Sequence, residues 1–172
     1  SALAILLIQL SHGLTFGLSY YPWNDKLLWA VREEGAWLEK DRDKTRLPEP
    51  RHPPREKFRY AHPYRYRGKK YRRLLSRMGV GEKHLVMTDS TRTYLLATGE
   101  LDAAVMLMSR IPEWDWAAEK VIVQEQGYYH GYLNGEPARF GEEPPADNPG
   151  YLICPREQKE ALLESVGAVM RG

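Results

Sequence analysis

The chain is 172 residues long, with 42% hydrophobic, 28% charged and 11% aromatic residues and a net charge of +2. This composition is typical of one globular domain, and it excludes a disordered tail, a fibrous repeat and a disulfide-rich scaffold. The single cysteine, Cys154, indicates a reducing, cytoplasmic location. No apolar run reaches the roughly 18 residues that a membrane span needs, so we predict no membrane partner.

The first part of the sequence predicts an antiparallel sheet. Two apolar runs, residues 2–10 and 14–20, flank a short polar turn, which is the pattern of a hairpin of buried strands. Residues 27–31 and 35–39 predict two further short strands in the same meander. Residues 41–57 are charged and rich in proline, which predicts a connection on the surface.

From residue 58 onward, predicted strands alternate with predicted helices. We expect strands at residues 58–62, 84–87, 101–107, 128–133 and 151–154. We expect helices at residues 66–78, 90–98, 114–126 and 156–170, and a glycine that can end a helix follows each of the first three. The alternation over residues 58–172 predicts an α/β (layered α+β) fold. Residues 1–172 would form a single domain or the C-terminal portion of one.

A basic segment, residues 51–77, has eleven lysines and arginines and one acid, so it carries +10 while the remainder carries −8. Aromatic residues interleave with these cations: Phe58, Tyr60, Tyr64, Tyr66 and Tyr71. Three interpretations are open. The aromatic rings can pack on the domain beneath the basic stems, the segment can attract an anionic substrate, or it can bind nucleic acid.

Asp115 is the first candidate for chemistry. It lies in the first turn of a predicted helix, just after a proline-containing loop, within the sequence Ile-Pro-Glu-Trp-Asp-Trp-Ala-Ala of residues 111–118. A carboxylate there can cap the N–H groups of the first turn, which is the commoner role of a single aspartate. It can also point outward as a metal ligand, because hard cations bind carboxylate oxygens held on rigid elements. The small Ala117 and Ala118 would let a ligand or another backbone approach closely.

These motifs together resemble a known family. Residues 99–104 read Gly-Glu-Leu-Asp-Ala-Ala, residues 114–118 read Trp-Asp-Trp-Ala-Ala, and residues 125–127 read Glu-Gln-Gly. In this order they resemble the C-terminal signature of the inositol monophosphatase superfamily: a Gly-x-x-Asp-Ala strand, a Trp-Asp-x-Ala-Ala-Gly helix start and a Glu-Ala-Gly-Gly helix end. The hairpin ending at residues 17–22 and the Gly-Ala-Trp at residues 35–37 are similar to earlier parts of the same family, so the resemblance spans nearly the whole chain.

The resemblance implies a five-layer αβαβα sugar-phosphatase fold and magnesium-dependent hydrolysis of a small phosphate monoester. The substrate would be an inositol phosphate, a sugar phosphate or a bisphosphorylated nucleotide. On this pattern Asp115 would ligate Mg²⁺, and Ser90 and Arg92 would contact the substrate. For Arg92 the alternative is a solvated helix residue. Members are commonly homodimers, so a homodimer is also implied.

Several positions depart from the family's pattern. The family holds its metals with a Glu from an upstream helix and both aspartates of an Asp-Pro-x-Asp-Gly-Thr motif, and no aspartate of this chain lies in such a motif. Glu119 stands where the family usually has glycine, and Met106 lies near the position of a substrate-contacting Glu in inositol-specific members. We expect the motif immediately upstream of residue 1, in a longer phosphatase of which this is the C-terminal two-thirds. The alternative is a shortened, non-catalytic relative that binds polyanions or nucleic acid through residues 51–77.

Overall fold

The computed structural model describes residues 4–10, 13–63, 69–88, 91–107, 115–143, 145 and 150–171. Within these ranges the chain has an α+β fold, as the sequence predicts, with two layers of strands and helices packed between and beside them. None of the helices described there has the length and apolar character that a membrane crossing requires.

The first layer is the predicted antiparallel meander, in which each strand pairs with the next along the chain. Its strands are β1 (Ala4–Leu10), β2 (Gly13–Tyr21), β3 (Lys26–Val31), β4 (Gly35–Lys40) and β5 (Asp43–Arg46). Side chains alternate across the sheet, and Tyr21, Leu28, Ala30 and Ala36 are buried on one face. That face forms one of the hydrophobic clusters of the protein.

Strand β5 lies within residues 41–57, the segment that the sequence predicts to be a surface connection. Asp41 and Arg42 both have positive φ, 52° and 71°, as in a two-residue type I′ turn, and they reverse the chain so that β5 pairs with β4. Every residue of β5 is polar or charged and exposed. The sequence therefore lacks the apolar alternation that would indicate a strand.

The second layer contains five short strands. They are β6 (Tyr60–Pro63), β7 (Leu85–Thr88), β8 (Ala104–Met106), β9 (Tyr128–Tyr132) and β10 (Tyr151–Pro155). Strand β10 pairs antiparallel with β8 on one side and with β9 on the other, while β6 and β7 pair in parallel. The N–H of Ala61 donates to the carbonyl of Ala103 at 2.8 Å, which joins the β6–β7 pair to the start of β8.

Four α-helices fall inside the predicted helical ranges or within one residue of them. They are α1 (Lys69–Arg77), α2 (Arg92–Ala97), α3 (Ala117–Glu125) and α4 (Lys159–Arg171). Helix α3 packs against β2 and β3 of the first layer and against β9 of the second, so it lies between the two sheets. Its residues Val121, Ile122 and Val123 are buried there.

Helix α3 approaches the first sheet closely at Gly17. A Cβ atom on Gly17 would lie 2.7 Å from the carbonyl oxygen of Ala118 and 3.2 Å from Cβ of Val121. The absence of a side chain at Gly17 lets β2 approach α3 closely, and the backbone approach predicted for the two alanines is observed at Ala118. At the other end of the helix, the Glu125 carboxylate accepts the backbone N–H groups of Glu33 and Gly35, at 3.0 and 2.9 Å.

Candidate active site

The start of α3 combines an exposed acid with a buried one. Asp115 is exposed, Trp116 behind it is 2% exposed, and Glu119 in the first turn is also 2% exposed. Trp116 occupies the N-cap position and makes no side-chain capping hydrogen bond. Asp115 thus lies just outside the helix, on the segment where the sequence predicts a candidate ligand.

Glu119 forms a bidentate ion pair with Arg92, the first residue of α2. The guanidinium donates from Nε to Oε2 at 2.8 Å and from Nη2 to Oε1 at 2.7 Å, and the Thr93 hydroxyl donates to Oε2 at 2.9 Å. Burial alone would raise the pKa of Glu119, but Arg92 above all lowers it to about 2. Both partners are therefore charged at neutral pH, and the carboxylate is occupied by protein donors.

His130 on β9 completes this buried group. Its ring is fully buried, stacks on Trp116 with centroids 5.4 Å apart, and places Nε2 3.6 Å from Oε1 of Glu119. Neither ring nitrogen hydrogen-bonds another residue in the described part of the chain. Burial lowers the pKa of His130 despite the opposing effect of Glu119, so the ring is neutral at neutral pH.

The three predicted site residues have different outcomes. Asp115 is at the start of α3 and exposed, as a ligand would require. Burial alone would lower the pKa of Arg92, but the Glu119 carboxylate above all, with a smaller effect of Asp115, raises it. The side chain of Arg92 is only 17% exposed, so the alternative of a solvated helix residue is wrong. Ser90 lies outside the described residues.

Sequence reasoning missed Glu119 and His130 as parts of this site. Glu119 was visible only as an acid in place of the family's usual glycine, and its partner lies 27 residues away along the chain. Both His130, which is fully buried, and His52, whose side chain is 9% exposed, lie inside the fold. The available signal was an acid on the same helix face as Ile122 and Val123, three and four residues later.

Asp102, in the Gly-x-x-Asp-Ala sequence, has a structural role. It is fully buried and accepts Nδ1 of His52 at 3.0 Å, the backbone N–H of Arg59 at 2.9 Å and Nε of Arg59 at 2.8 Å. Burial alone would raise the pKa of Asp102, but these donors lower it below its usual value. These hydrogen bonds connect the proline-rich residues before β6 with the start of β8.

The side chains at the start of α3 can be compared with the ligands that Mg²⁺ requires. Mg²⁺ requires six oxygen ligands in near-octahedral geometry. The residues that the structure describes contain no group of three or more His, Cys, Asp or Glu side chains that could hold a metal ion. Glu119 is engaged by Arg92 and Thr93, which leaves Asp115 as the carboxylate of this site that fits a metal, as one ligand among several.

A sequence model of the inositol monophosphatase family matches residues 2–171. The chain belongs to the inositol monophosphatase family. Members of this family are phosphatases and generally use Mg²⁺. A search among curated proteins found no match.

Solved structures of the inositol monophosphatase family share the fold of this chain. An inositol monophosphatase of Thermotoga maritima is 19% identical with a TM-score of 0.69, over 92% of this chain and 58% of that one. CysQ of Bacteroides thetaiotaomicron is 20% identical with a TM-score of 0.67, over 88% and 62%. Inositol monophosphatase-II of Staphylococcus aureus is 18% identical with a TM-score of 0.73, over 97% and 62%. The chain therefore spans about three fifths of the length of these relatives.

Proposed function

We propose that this chain takes part in magnesium-dependent hydrolysis of a small phosphate monoester, together with a metal-binding segment that lies outside these 172 residues. The observation that supports the proposal is the exposed Asp115 carboxylate at the start of α3, in the Trp-Asp-x-Ala-Ala sequence of a chain that belongs to a phosphatase family. The substrate classes are those of the resemblance: an inositol phosphate, a sugar phosphate or a bisphosphorylated nucleotide.

In this proposal the side chains have separate tasks. Asp115 offers one oxygen ligand from a fixed helix start, and Glu119 holds the Arg92 guanidinium by its Nε and Nη2 edge. The Nη1 group of Arg92, which has no hydrogen bond to another described residue, is then available to an anionic oxygen of the substrate, and Ser90 is a second substrate contact. When bound, Mg²⁺ supplies an activated water and neutralises charge on the phosphate.

The upstream segment is a necessary part of the proposal. One carboxylate cannot hold Mg²⁺ tightly, so we expect the chain by itself to be inactive. The intact mass of the protein produced by its own cell tests this. A mass of 19.9 kDa would contradict the upstream segment. A mass greater by roughly 8–10 kDa, about 70–90 residues, would support it.

Phosphate release tests the function itself. The protein as its own cell produces it is assayed with one substrate of each of the three classes, with Mg²⁺ and with EDTA. We expect release from at least one class, which EDTA abolishes and added Mg²⁺ restores. No release from any of them by a protein of the larger mass would contradict the proposal.

The aromatic residues of the basic segment give little support to the alternative that residues 51–77 bind polyanions or nucleic acid. Phe58 is 2% exposed and Tyr60 is 3% exposed, and both belong to a hydrophobic core cluster, so neither ring can stack on a base. Tyr64 and Tyr66 lie outside the described residues.

The homodimer implied by the resemblance and the cytoplasmic location remain predictions. Light scattering after gel filtration tests the homodimer.

A further inference from the structure

His130 on β9 has two ring nitrogens that make no hydrogen bond within the described part of the chain. The ring is fully buried, and neither nitrogen is accessible to solvent. The nearest carboxylate oxygen is Oε1 of Glu119, which lies 3.6 Å from Nε2, a distance longer than a hydrogen bond. Because a buried polar group without a partner costs free energy, we asked what these nitrogens could bind.

Arg92 holds the same oxygen of Glu119. Its Nη2 group donates to Oε1 at 2.7 Å, while Nε of Arg92 and the Thr93 hydroxyl both donate to Oε2. Among the described residues, Nη2 has no other acceptor. The Oε1 atom is therefore bonded by Arg92 on α2 and faced by His130 on β9.

A second buried acid, Asp102, shows the same three residue types in a different arrangement. Its Oδ1 atom contacts both Nδ1 of His52, at 3.0 Å, and Nη2 of Arg59, at 3.1 Å. That Nη2 group also donates to the carbonyl of Gly99 at 2.6 Å, while Nε of Arg59 donates to Oδ2 at 2.8 Å. Where a histidine binds the shared oxygen, the arginine is thus held by Nε, and its Nη2 group is shared with another acceptor.

We propose that His130 and Arg92 compete for Oε1 of Glu119, so that His130 is a positioning residue for Arg92. When an anionic oxygen draws Nη2 of Arg92 away, an N–H group of His130 replaces it on Oε1, as His52 binds Asp102, and the buried carboxylate stays satisfied. Nε of Arg92 remains on Oε2. Arg92 then offers both Nη groups to a substrate phosphate. This last step rests on the proposed function, whereas the competition itself does not.

The charges around His130 make its proton affinity a measure of this competition. Among the described residues they are Glu119 and Lys120 on α3 and Arg92 on α2, and the neighbouring strand β10 has no charged residue. Burial lowers the pKa of His130, Glu119 opposes this, and Lys120 and Arg92 lower it further. Loss of Arg92 would leave Glu119 without its counterion, so His130 should bind a proton more readily and donate to Oε1.

NMR titration of the His130 ring in the full chain tests the proposal, in the unmodified protein, in Arg92→Gln and in Arg59→Gln. We expect Arg92→Gln to raise the titration midpoint of His130 by about one pH unit or more, and the Nε2 proton to move downfield as it bonds the carboxylate. Arg59→Gln is the matched control, because it removes an arginine from the other buried acid. It should move the midpoint by less than about 0.3 unit.

The proposal would be overturned by equal midpoints in the unmodified protein and Arg92→Gln, which would mean that Glu119 takes up the proton itself. An equal shift in Arg59→Gln, or a raised midpoint without the downfield proton, would also overturn it, since both would indicate a general field and no exchange of partners.

Arg92→Lys is the second variant, for the case that Arg92→Gln does not fold. It keeps a positive charge beside Glu119 but loses the two-pronged guanidinium edge, so the midpoint of His130 should rise less than in Arg92→Gln but more than in Arg59→Gln. No rise in Arg92→Lys would again overturn the proposal. The titration needs no catalysis, so its failure can be distinguished from a failure of phosphate release.

Discussion

Arg92 at the start of α2 and Glu119 in the first turn of α3 form a buried bidentate ion pair, with N–O distances of 2.8 and 2.7 Å. The pair connects two helices whose first turns border the candidate active site. Because the carboxylate is satisfied by Arg92 and Thr93, it does not compete with Asp115 for a cation. Asp115 and Glu119 are only four residues apart, but Glu119 is buried in the ion pair while Asp115 is exposed.

Removing one partner of this pair should destabilise the protein strongly. We expect Glu119→Gln to lower the free energy of unfolding by about 3–5 kcal/mol, because the Arg92 charge would remain buried without its counterion. Urea denaturation measures this. Glu142→Gln is the matched control, since its pair with Arg139 is exposed on both sides and should contribute less than about 1 kcal/mol. Equal effects of the two substitutions would contradict the buried pair.

Stability should fall steeply at acid pH. The pKa of Glu119 is about 2 in the folded chain against an ordinary value of 4.5, and the pKa of Asp102 is also lowered. The unfolded chain therefore binds more protons between these values, so the stabilisation is full above pH 4.5 and is lost as pH falls towards 2. Glu119 alone accounts for a decrease on the order of 3 kcal/mol.

Urea denaturation at intervals from pH 5 to pH 2 measures this decrease, and Glu119→Gln should show a shallower one. A decrease that is identical in the variant would assign the acid sensitivity to other groups.

The close approach of β2 and α3 can be tested at Gly17. We expect Gly17→Ala to lower the free energy of unfolding by about 1–3 kcal/mol, since the added Cβ would lie 2.7 Å from the backbone oxygen of Ala118 and the helix would have to move. Gly81→Ala is the control, because its Cβ would meet nothing closer than 4.0 Å and its φ of −76° suits alanine. A thermal melt that ranks the two variants in the opposite order would contradict this packing.

The thiol of Cys154 should be unreactive in the folded protein. It is fully buried, and burial raises its pKa to about 12, so almost no thiolate exists at neutral pH. We expect no labelling by a disulfide reagent at pH 8 until urea unfolds the chain, and one equivalent thereafter. Rapid labelling without urea would show that strand β10 is open to solvent.

Local patterns predicted the order and type of most elements. Short apolar runs next to turn residues indicated β2 and β3, and helical spacing followed by glycine indicated α1, α2 and α3. These patterns involve residues that are close together in sequence, so they can be recognised without knowledge of the fold. Strand β5 was missed because its exposed residues have no apolar face and its pairing depends on a turn at Asp41 and Arg42.

The candidate site was less predictable than the fold. Asp115 could be proposed as a candidate because its motif is contiguous in sequence. Glu119 takes its role from Arg92 on another helix, and His130 is buried on β9, which packs against α3. Contacts between residues so far apart in sequence have no local signature, and a buried charge cannot be distinguished from a surface one until its counterion is known.

The most direct test of the account compares the Mg²⁺ dependence of phosphate release by Asp115→Asn and by Asp43→Asn, both made in the protein as its own cell produces it. Asp43 is an exposed acid on β5 and serves as the matched control. We expect Asp115→Asn to raise the Mg²⁺ concentration for half-maximal activity by about tenfold or more, or to abolish release, because a metal ligand is lost. We expect Asp43→Asn to behave as the unmodified protein. The same Mg²⁺ dependence in both variants would contradict the assignment of Asp115 as a metal ligand.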